Sequence, residues 1–339
     1  MRAAIYQGKG RIDMGVLPTP VAGDNDIVIR NLYASICGTD VAVYRHGPGT
    51  GHRITVGDEF GHEAISQVVQ VGRNVKDIRV GDVVYPYPRL ARGDPRRSGT
   101  LGAFSEYILV PDAHLNRQVY RLDERILVRM GCLIEPFTVG CRAARRAAPQ
   151  PGEKAIVFGA GTIGIAAAIA LMHFGCSRVI LCDHSDFRLG IAAQLGFDAV
   201  NTARLDLESE ARRLLGTADG LSGTTADADI FIDAAGADGI LKTWQEMGKI
   251  FSRMVVVAVR AGQRPVDVLH MTYAQQALIG SGGYMPEDVG TVMRIMASGR
   301  WDIEALITHE YPWEKLPEAI EKAGSVNEAL NVVIRYGAE

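Results

Sequence analysis

The chain carries a thiol, an imidazole and several carboxylates at spacings that could hold a metal. Cys37 stands in Cys37-Gly38-Thr39-Asp40, just after a strand-like run. Gly61-His62-Glu63 follows, with His62 25 residues beyond Cys37, and Glu135-Pro136 lies farther on. A thiolate, an imidazole and one or two carboxylates are donor types of a catalytic zinc, which takes about three protein ligands and keeps one position open. Each residue also has an ordinary reading. A single Cys is commonly a small buried hydrophobe, and a His-Glu pair is commonly surface. Residue type and spacing leave both readings open.

A second group could hold a dinucleotide. Gly159-Ala160-Gly161-Thr162-Ile163-Gly164 fits G-x-G-x-x-G, follows the strand-like Ala155-Ile156-Val157-Phe158 and opens an Ala-rich helix running to about His173. That context is what the motif requires. Gly159 permits a tight turn, Gly161 lets backbone approach a pyrophosphate, and Gly164 lets helix and strand pack closely; the phosphates then meet free N–H groups at the helix start. Asp183 closes the next strand, 19 residues after Gly164. A carboxylate there accepts ribose hydroxyls and repels a 2′-phosphate, which favours NAD over NADP. Arg188 could cover the adenine face or be a solvated helix residue.

These groups need scaffolds, and the chain supplies two textures. Residues 1 to about 110 hold short β-branched runs broken by Gly and Pro, such as Asp26–Arg30, Ile65–Val71 and Val80–Val84, an all-β pattern. After Pro149-Gln150-Pro151-Gly152, strands and helices alternate. Strands are expected at Ala155–Phe158, Arg178–Cys182, Ala199–Val200, Asp229–Asp233 and Met254–Val259, with a helix near Arg188–Leu195. Such alternation predicts a parallel, doubly wound sheet. Glu287 to Arg335 reads as two helices and a final strand, Asn331–Ile334.

Composition excludes several classes. The 339 residues suggest about two domains. With 47% hydrophobic and 22% charged residues the chain is globular rather than disordered or fibrous. A net charge of −3 argues against a broad surface for nucleic acid or anionic lipid. The start, Met1 to Gln7, has no apolar stretch suited to a signal peptide. The longest apolar run, Ile163 to Met172, falls short of the ~20 residues a bilayer needs. The expectation is a cytoplasmic protein with no membrane partner. Five scattered cysteines without a CxxC pair argue against a disulfide framework.

Taken in order, these motifs resemble the zinc-dependent medium-chain dehydrogenases, closest to the polyol (sorbitol-like) and threonine dehydrogenase branch. The resemblance rests on Cys37-Gly38-Thr39-Asp40, Gly61-His62-Glu63, Val71-Gly72, Val80–Val84, Gly102–Tyr107, Glu135–Gly140, the glycine turn and Ile307-Thr308-His309. It implies a GroES-like β-rich catalytic domain over 1–141, a Rossmann domain over 142–280 and a return to the catalytic domain over 281–339, with the active-site cleft between them. It implies that Cys37, His62 and Glu63 bind zinc, that Glu135 binds or adjoins it, and that Asp40 orients His62. Thr39 is implied as first proton acceptor and Thr138 as a neighbour of the nicotinamide. The implied reaction moves a hydride between NAD and a secondary alcohol of a polyol, sugar or cyclitol. Homodimers or homotetramers are implied, with the segments Met254–Val259 and Ala277–Gly283 continuing a sheet across subunits. A threonine-like amino alcohol, a sugar phosphate, a zinc-free reductase and a silent dinucleotide sensor are the alternatives.

The chain departs from that pattern in three places. Tyr85 to Gly102, which matches a lobe where many relatives hold a structural zinc by four cysteines, contains no Cys. One zinc per chain is therefore expected. The same stretch holds Arg89, Arg92, Arg96 and Arg97, which could meet a phosphorylated sugar or form a solvated loop or subunit contact. Ala42 stands where many relatives carry a proton-relaying His, so Glu63 with a nearby water is expected to pass the proton on. Tyr284-Met285 stands near the position of the sorbitol enzymes' Arg-Tyr pair, which implies a substrate other than sorbitol. Tyr44, His46 and Phe104 are the other pocket candidates.

Overall fold

The computed structural model describes residues 1–51, 53–92, 97 and 99–337. The chain divides into two compact units, Met1–Glu135 with Met296–Glu339, and Pro136–Ile295.

The first unit is built on a seven-stranded sheet in which short β-branched runs are buried on at least one face. Its spatial order is Ile307–Pro312, Asn331–Arg335, Ile27–Ser35, Glu63–Val71, Val83–Pro86 and Val119–Arg121, with Tyr107–Val110 also paired to Ile27–Ser35. Ile27–Ser35 is the hub. It runs antiparallel to Glu63–Val71 in a register that sets Ser35 opposite Glu63. Two apolar clusters flank it. One gathers Phe60, Phe104, Trp313 and Ile334; the other gathers Ile29, Val68, Leu101 and Ile108.

One buried amide ties a loop to that hub. Asn31 is fully buried, and its Nδ2 donates to the carbonyls of Gly102, Ala103 and Ser105 at 3.1, 3.2 and 2.7 Å. Its Oδ1 accepts from the Ser66 hydroxyl at 2.7 Å. Every polar atom of the side chain is thus satisfied away from water, as burial demands.

The second unit holds a six-stranded sheet ordered Asp198–Asn201, Arg178–Asp183, Lys154–Phe158, Ile230–Asp233, Arg253–Val256 and Ala277–Gly280. All neighbours are parallel. Numbered within the unit this is the 3-2-1-4-5-6 order of a doubly wound fold, whose ligands bind outside the carboxyl ends of the strands. The chain is therefore α/β, made of a β-rich unit and a unit with a doubly wound sheet, as its texture predicts.

Three elements differ from expectation. The helix Gly38–His46 forms where no helix signal stands, because Cys37 serves as N-cap: its sulfur accepts from Thr39 N–H while the Asp40 carboxylate accepts from Cys37 N–H at 3.0 Å. Ile307–Pro312 is a strand, parallel to Asn331–Arg335. It sits at the sheet edge, half exposed and bulged, so it lacks the alternation that marks a strand in sequence. A small antiparallel hairpin, Thr217–Gly220 with Gly223–Ala226, interrupts the strand–helix alternation. Among the described residues no helix is long and apolar enough to cross a membrane.

Asn31→Asp would turn a carboxylate oxygen toward carbonyl oxygens. We expect it to lower unfolding free energy by about 3 kcal/mol or more, because the oxygen replacing Nδ2 would face three carbonyl oxygens with no donor, and Ser66 alone would serve a buried charge. Urea unfolding with and without the substitution measures this.

Candidate zinc centre and dinucleotide turn

The antiparallel register solves the spacing problem posed by the sequence. Strand Ile27–Ser35 ends two residues before Cys37, and Glu63 pairs with Ser35 on the next strand. The sulfur of Cys37, a ring nitrogen of His62 and a carboxylate oxygen of Glu63 all lie within 4.8 Å of one another. His62 and Glu63 are buried and Cys37 is half-buried. Among the described residues these three form the group with metal-binding geometry.

The imidazole is held by direction. Nδ1 of His62 stands 3.4 Å from Asp40 Oδ1, while Nε2 stands 3.9 Å from Glu63 Oε1. Asp40 is fully buried. A proton on Nδ1 facing Asp40 leaves the Nε2 lone pair facing the other donors, the usual arrangement behind a metal-ligating His. Thr39 Oγ1 donates to Cys37 Sγ at 3.0 Å. A soft sulfur, an imidazole and a carboxylate converging in a buried site fit zinc.

Electrostatics agree with a pocket whose donors hold protons that a cation would replace. Loss of hydration pushes the Cys37 thiol up to about 11, helped by the Glu63 charge and opposed by His62. Burial pushes Glu63 up to about 8; His62 opposes this, while Glu135 and Asp40 add to it. Burial alone would depress His62, but Asp40 and Cys37 hold it well above its ordinary value. Glu135 is buried at the start of the helix Ile134–Arg146. Its charge acts on Glu63, yet it is not part of the trio within 4.8 Å.

The glycine turn follows from crowding. Gly159 sits at φ +101°, and a Cβ on Gly164 would fall on the Gly159 carbonyl. The turn leads into helix Thr162–His173, whose N-cap is Gly161 with no side-chain cap; Thr162 and Ile163 make its first turn. Asp183 closes strand Arg178–Asp183. Its carboxylate accepts from Ala160 N–H at 2.8 Å and from His184 and Ser185 N–H at 2.7 and 2.9 Å. Arg188 is partly buried and lies against the turn: a Cβ on Gly161 would be 3.6 Å from its Nη1. Thr138 is fully buried in helix Ile134–Arg146.

Other singled-out residues fall as follows. Arg92 pairs with Glu59 at 2.8 Å and Arg97 with Asp58, while Arg89 is exposed. Arg96 lies outside the described residues. Phe104 is fully buried edge-on to Phe60, Tyr284 is buried, Tyr44 is half-buried and His46 is exposed. Two functional candidates escaped the sequence reading. Gly51 packs on Thr39, where a Cβ would come within 2.6 Å of the Thr39 carbonyl. Asp233, fully buried, accepts from Ala235 and Gly236 N–H and pairs with Arg264 at 2.5 Å, bracing the turn against which Gly159 packs. Asp233 had a signal: like Asp183 it ends an apolar strand run.

Two family descriptions match the chain in succession. Residues 23–119 match the alcohol dehydrogenase GroES-like domain, and residues 162–298 match the zinc-binding dehydrogenase family. L-galactonate-5-dehydrogenase of Escherichia coli is 28% identical, over 89% of this chain and 89% of that protein. Sorbitol dehydrogenase of Rattus norvegicus is 28% identical, over 94% and 91%. The crystal structure of 2R,3R-butanediol dehydrogenase from Bacillus subtilis shares the fold with a TM-score of 0.85, covering 98% of this chain and 99% of that one at 23% identity. The chain is thus a member of the zinc-dependent medium-chain dehydrogenases, an oxidoreductase of the alcohol and polyol type.

Proposed function

We propose that the chain oxidises a secondary hydroxyl of a polyol, sugar-acid or cyclitol substrate, with NAD as hydride acceptor and one catalytic zinc. The convergence of Cys37, His62 and Glu63 within 4.8 Å carries this reading. Relatives named for galactonate and sorbitol support the substrate class. The Asp183 carboxylate beside the glycine turn supports NAD, because it would repel a 2′-phosphate.

Cys37, His62 and Glu63 would hold the metal, with Glu135 as a neighbouring carboxylate. Bound zinc and NAD supply Lewis acidity and a hydride acceptor. The chain's own residues do the rest. Asp40 fixes the direction of His62. Thr39 Oγ1, beside Cys37 Sγ, takes the substrate proton. Ala42 offers no relay, so Glu63 and a nearby water carry that proton outward. Gly159, Gly161 and Gly164 with Thr162, Ile163, Asp183 and Arg188 bind the dinucleotide, and Thr138 adjoins the nicotinamide.

The sugar-phosphate alternative draws less support from Arg92 and Arg97, whose charges are balanced by Glu59 and Asp58, than from the exposed Arg89. A homo-oligomer is the expected assembly. Ala277–Gly280 is an edge strand, and Val268, Leu269, Tyr273 and Leu278 nearby are exposed. We place the working protein in the cytoplasm.

A panel of sugar alcohols, aldonates and cyclitols, followed by NADH absorbance, tests the function. Turnover abolished by a chelator and restored by zinc is expected; chelator-resistant turnover contradicts the metal reading. Zinc affinity should also rise with pH. Glu63, with its pKa raised to about 8, and Cys37, raised to about 11, carry protons at pH 7 in the metal-free chain. Zinc must displace them, so apparent affinity should gain about one decade per pH unit for each proton released. The Glu63 contribution flattens above about 8. Competition with a chelating dye between about pH 6 and 9 measures the slope. Asp183→Asn should cut the NAD-to-NADP ratio of kcat/KM by about tenfold or more, since the repulsion of a 2′-phosphate is removed.

A further inference from the structure

The residues just before His62 are gripped by an arginine pair. Asp58 and Glu59 lie four and three positions before His62. Arg92 Nη1 donates to Glu59 Oε2 at 2.8 Å and to the Leu101 carbonyl at 3.2 Å. Arg97 pairs with Asp58 and donates to Thr55 Oγ1 at 2.7 Å. Both pairs are partly shielded, with side-chain exposures of 32% and 14% for Arg92 and Glu59, and 33% and 29% for Arg97 and Asp58.

Backbone contacts continue the grip toward the metal ligands. Thr100 N–H and Oγ1 donate to the Arg97 carbonyl at 3.0 and 2.8 Å. Thr100 bridges Gly61, and the N–H groups of Gly102 and Ala103 donate to the Gly61 carbonyl, both at 3.2 Å. Phe104 N–H donates to the Phe60 carbonyl at 3.0 Å. Gly61 sits at φ +87°, and a Cβ there would lie 2.6 Å from the Phe104 ring. The far side of this loop is pinned by Asn31. Segment Thr55–Gly61 is thus held on one side by the two ion pairs and on the other by Tyr6, whose N–H donates to the Asp58 carbonyl at 2.9 Å and whose carbonyl accepts from Gly57 N–H at 2.8 Å. No cysteine is present between Tyr85 and Gly102 to do this with a metal.

We propose that Arg92 and Arg97 are positioning residues of the zinc centre. Arg92 Nη1 ties Glu59 to the Leu101 carbonyl and Arg97 Nη2 ties Asp58 to Thr55, and this clasp sets where His62 and Glu63 stand. The arginine cluster then serves the metal site from behind rather than meeting an anionic substrate. Partners behind a ligand commonly change metal affinity by about 10–100-fold. The inference rests on Cys37, His62 and Glu63 binding zinc.

The test measures the zinc dissociation constant by chelator competition, and the thermal midpoint of the metal-free chain, on the full chain. The variants are Arg92→Met, Arg97→Met, their double, Arg92→Lys, Arg92→Glu, and the exchange Glu59→Arg with Arg92→Glu. Arg121→Met, which removes an ion pair to Asp82 elsewhere in the same unit, is the control. The double variant should bind zinc roughly tenfold more weakly. The exchange should recover part of that loss over Arg92→Glu alone. Arg121→Met should lower the midpoint without changing zinc affinity. If the double variant fails to fold, Arg92→Lys keeps the charge but not the planar guanidinium that reaches both Glu59 and the Leu101 carbonyl, and should still weaken zinc by about threefold. Zinc affinity within about twofold of the parent in every folded clasp variant overturns the proposal. A Cys37→Ala chain that keeps its zinc overturns the metal reading, and this inference with it.

Discussion

Burying several anionic donors together is unfavourable unless a cation balances them, and the first unit is organised around that cost. Asp40 and Glu63 are nearly inaccessible, Glu135 is buried, and the Cys37 sulfur joins them. In the metal-free chain the cost shows as protonation, with Cys37 and Glu63 both pushed upward. A divalent ion would replace those protons with one compact charge. The surrounding scaffold keeps the donors from separating. The hub strand, the Cys37–Asp40 capping box, the Asn31 amide and the arginine clasp all act within a few residues of a ligand.

In the proposed function the second unit meets a different constraint, close approach of backbone to a diphosphate. Here specificity comes from what is missing. Gly164 has no Cβ because the Gly159 carbonyl occupies that place, and helix Thr162–His173 begins on a glycine without a side-chain cap. Asp183 does two tasks. It anchors the turn through Ala160, and in the proposed function it also turns negative charge toward the adenosine ribose. Asp233 and Arg264 brace the neighbouring turn in the same manner.

Much of this was legible in the residues. Parallel strands buried on both faces are continuous apolar runs, so Ala155–Phe158 and Arg178–Cys182 mark themselves, and the glycine turn between strand and helix needs no partner to be seen. Long-range pairing was not legible. The 25 residues between Cys37 and His62 mean nothing until Ser35 and Glu63 are known to lie opposite. Arg92 and Arg97 read as part of an open basic run because their acids, Glu59 and Asp58, lie more than thirty positions away. Helix Gly38–His46 was invisible because its cap is a cysteine rather than Ser, Thr, Asp or Asn. The edge strand Ile307–Pro312 was hidden by its half-exposed, bulged pairing.

The central claim is that the Cys37, His62 and Glu63 group is a zinc site. Anomalous scattering on either side of the zinc absorption edge, from crystals of the zinc-loaded chain, tests it most directly. The account predicts one peak per chain, about 2.3 Å from Cys37 Sγ and about 2.0–2.1 Å from His62 Nε2. A strong peak at other residues, or no peak at these side chains in zinc-saturated crystals, would contradict it.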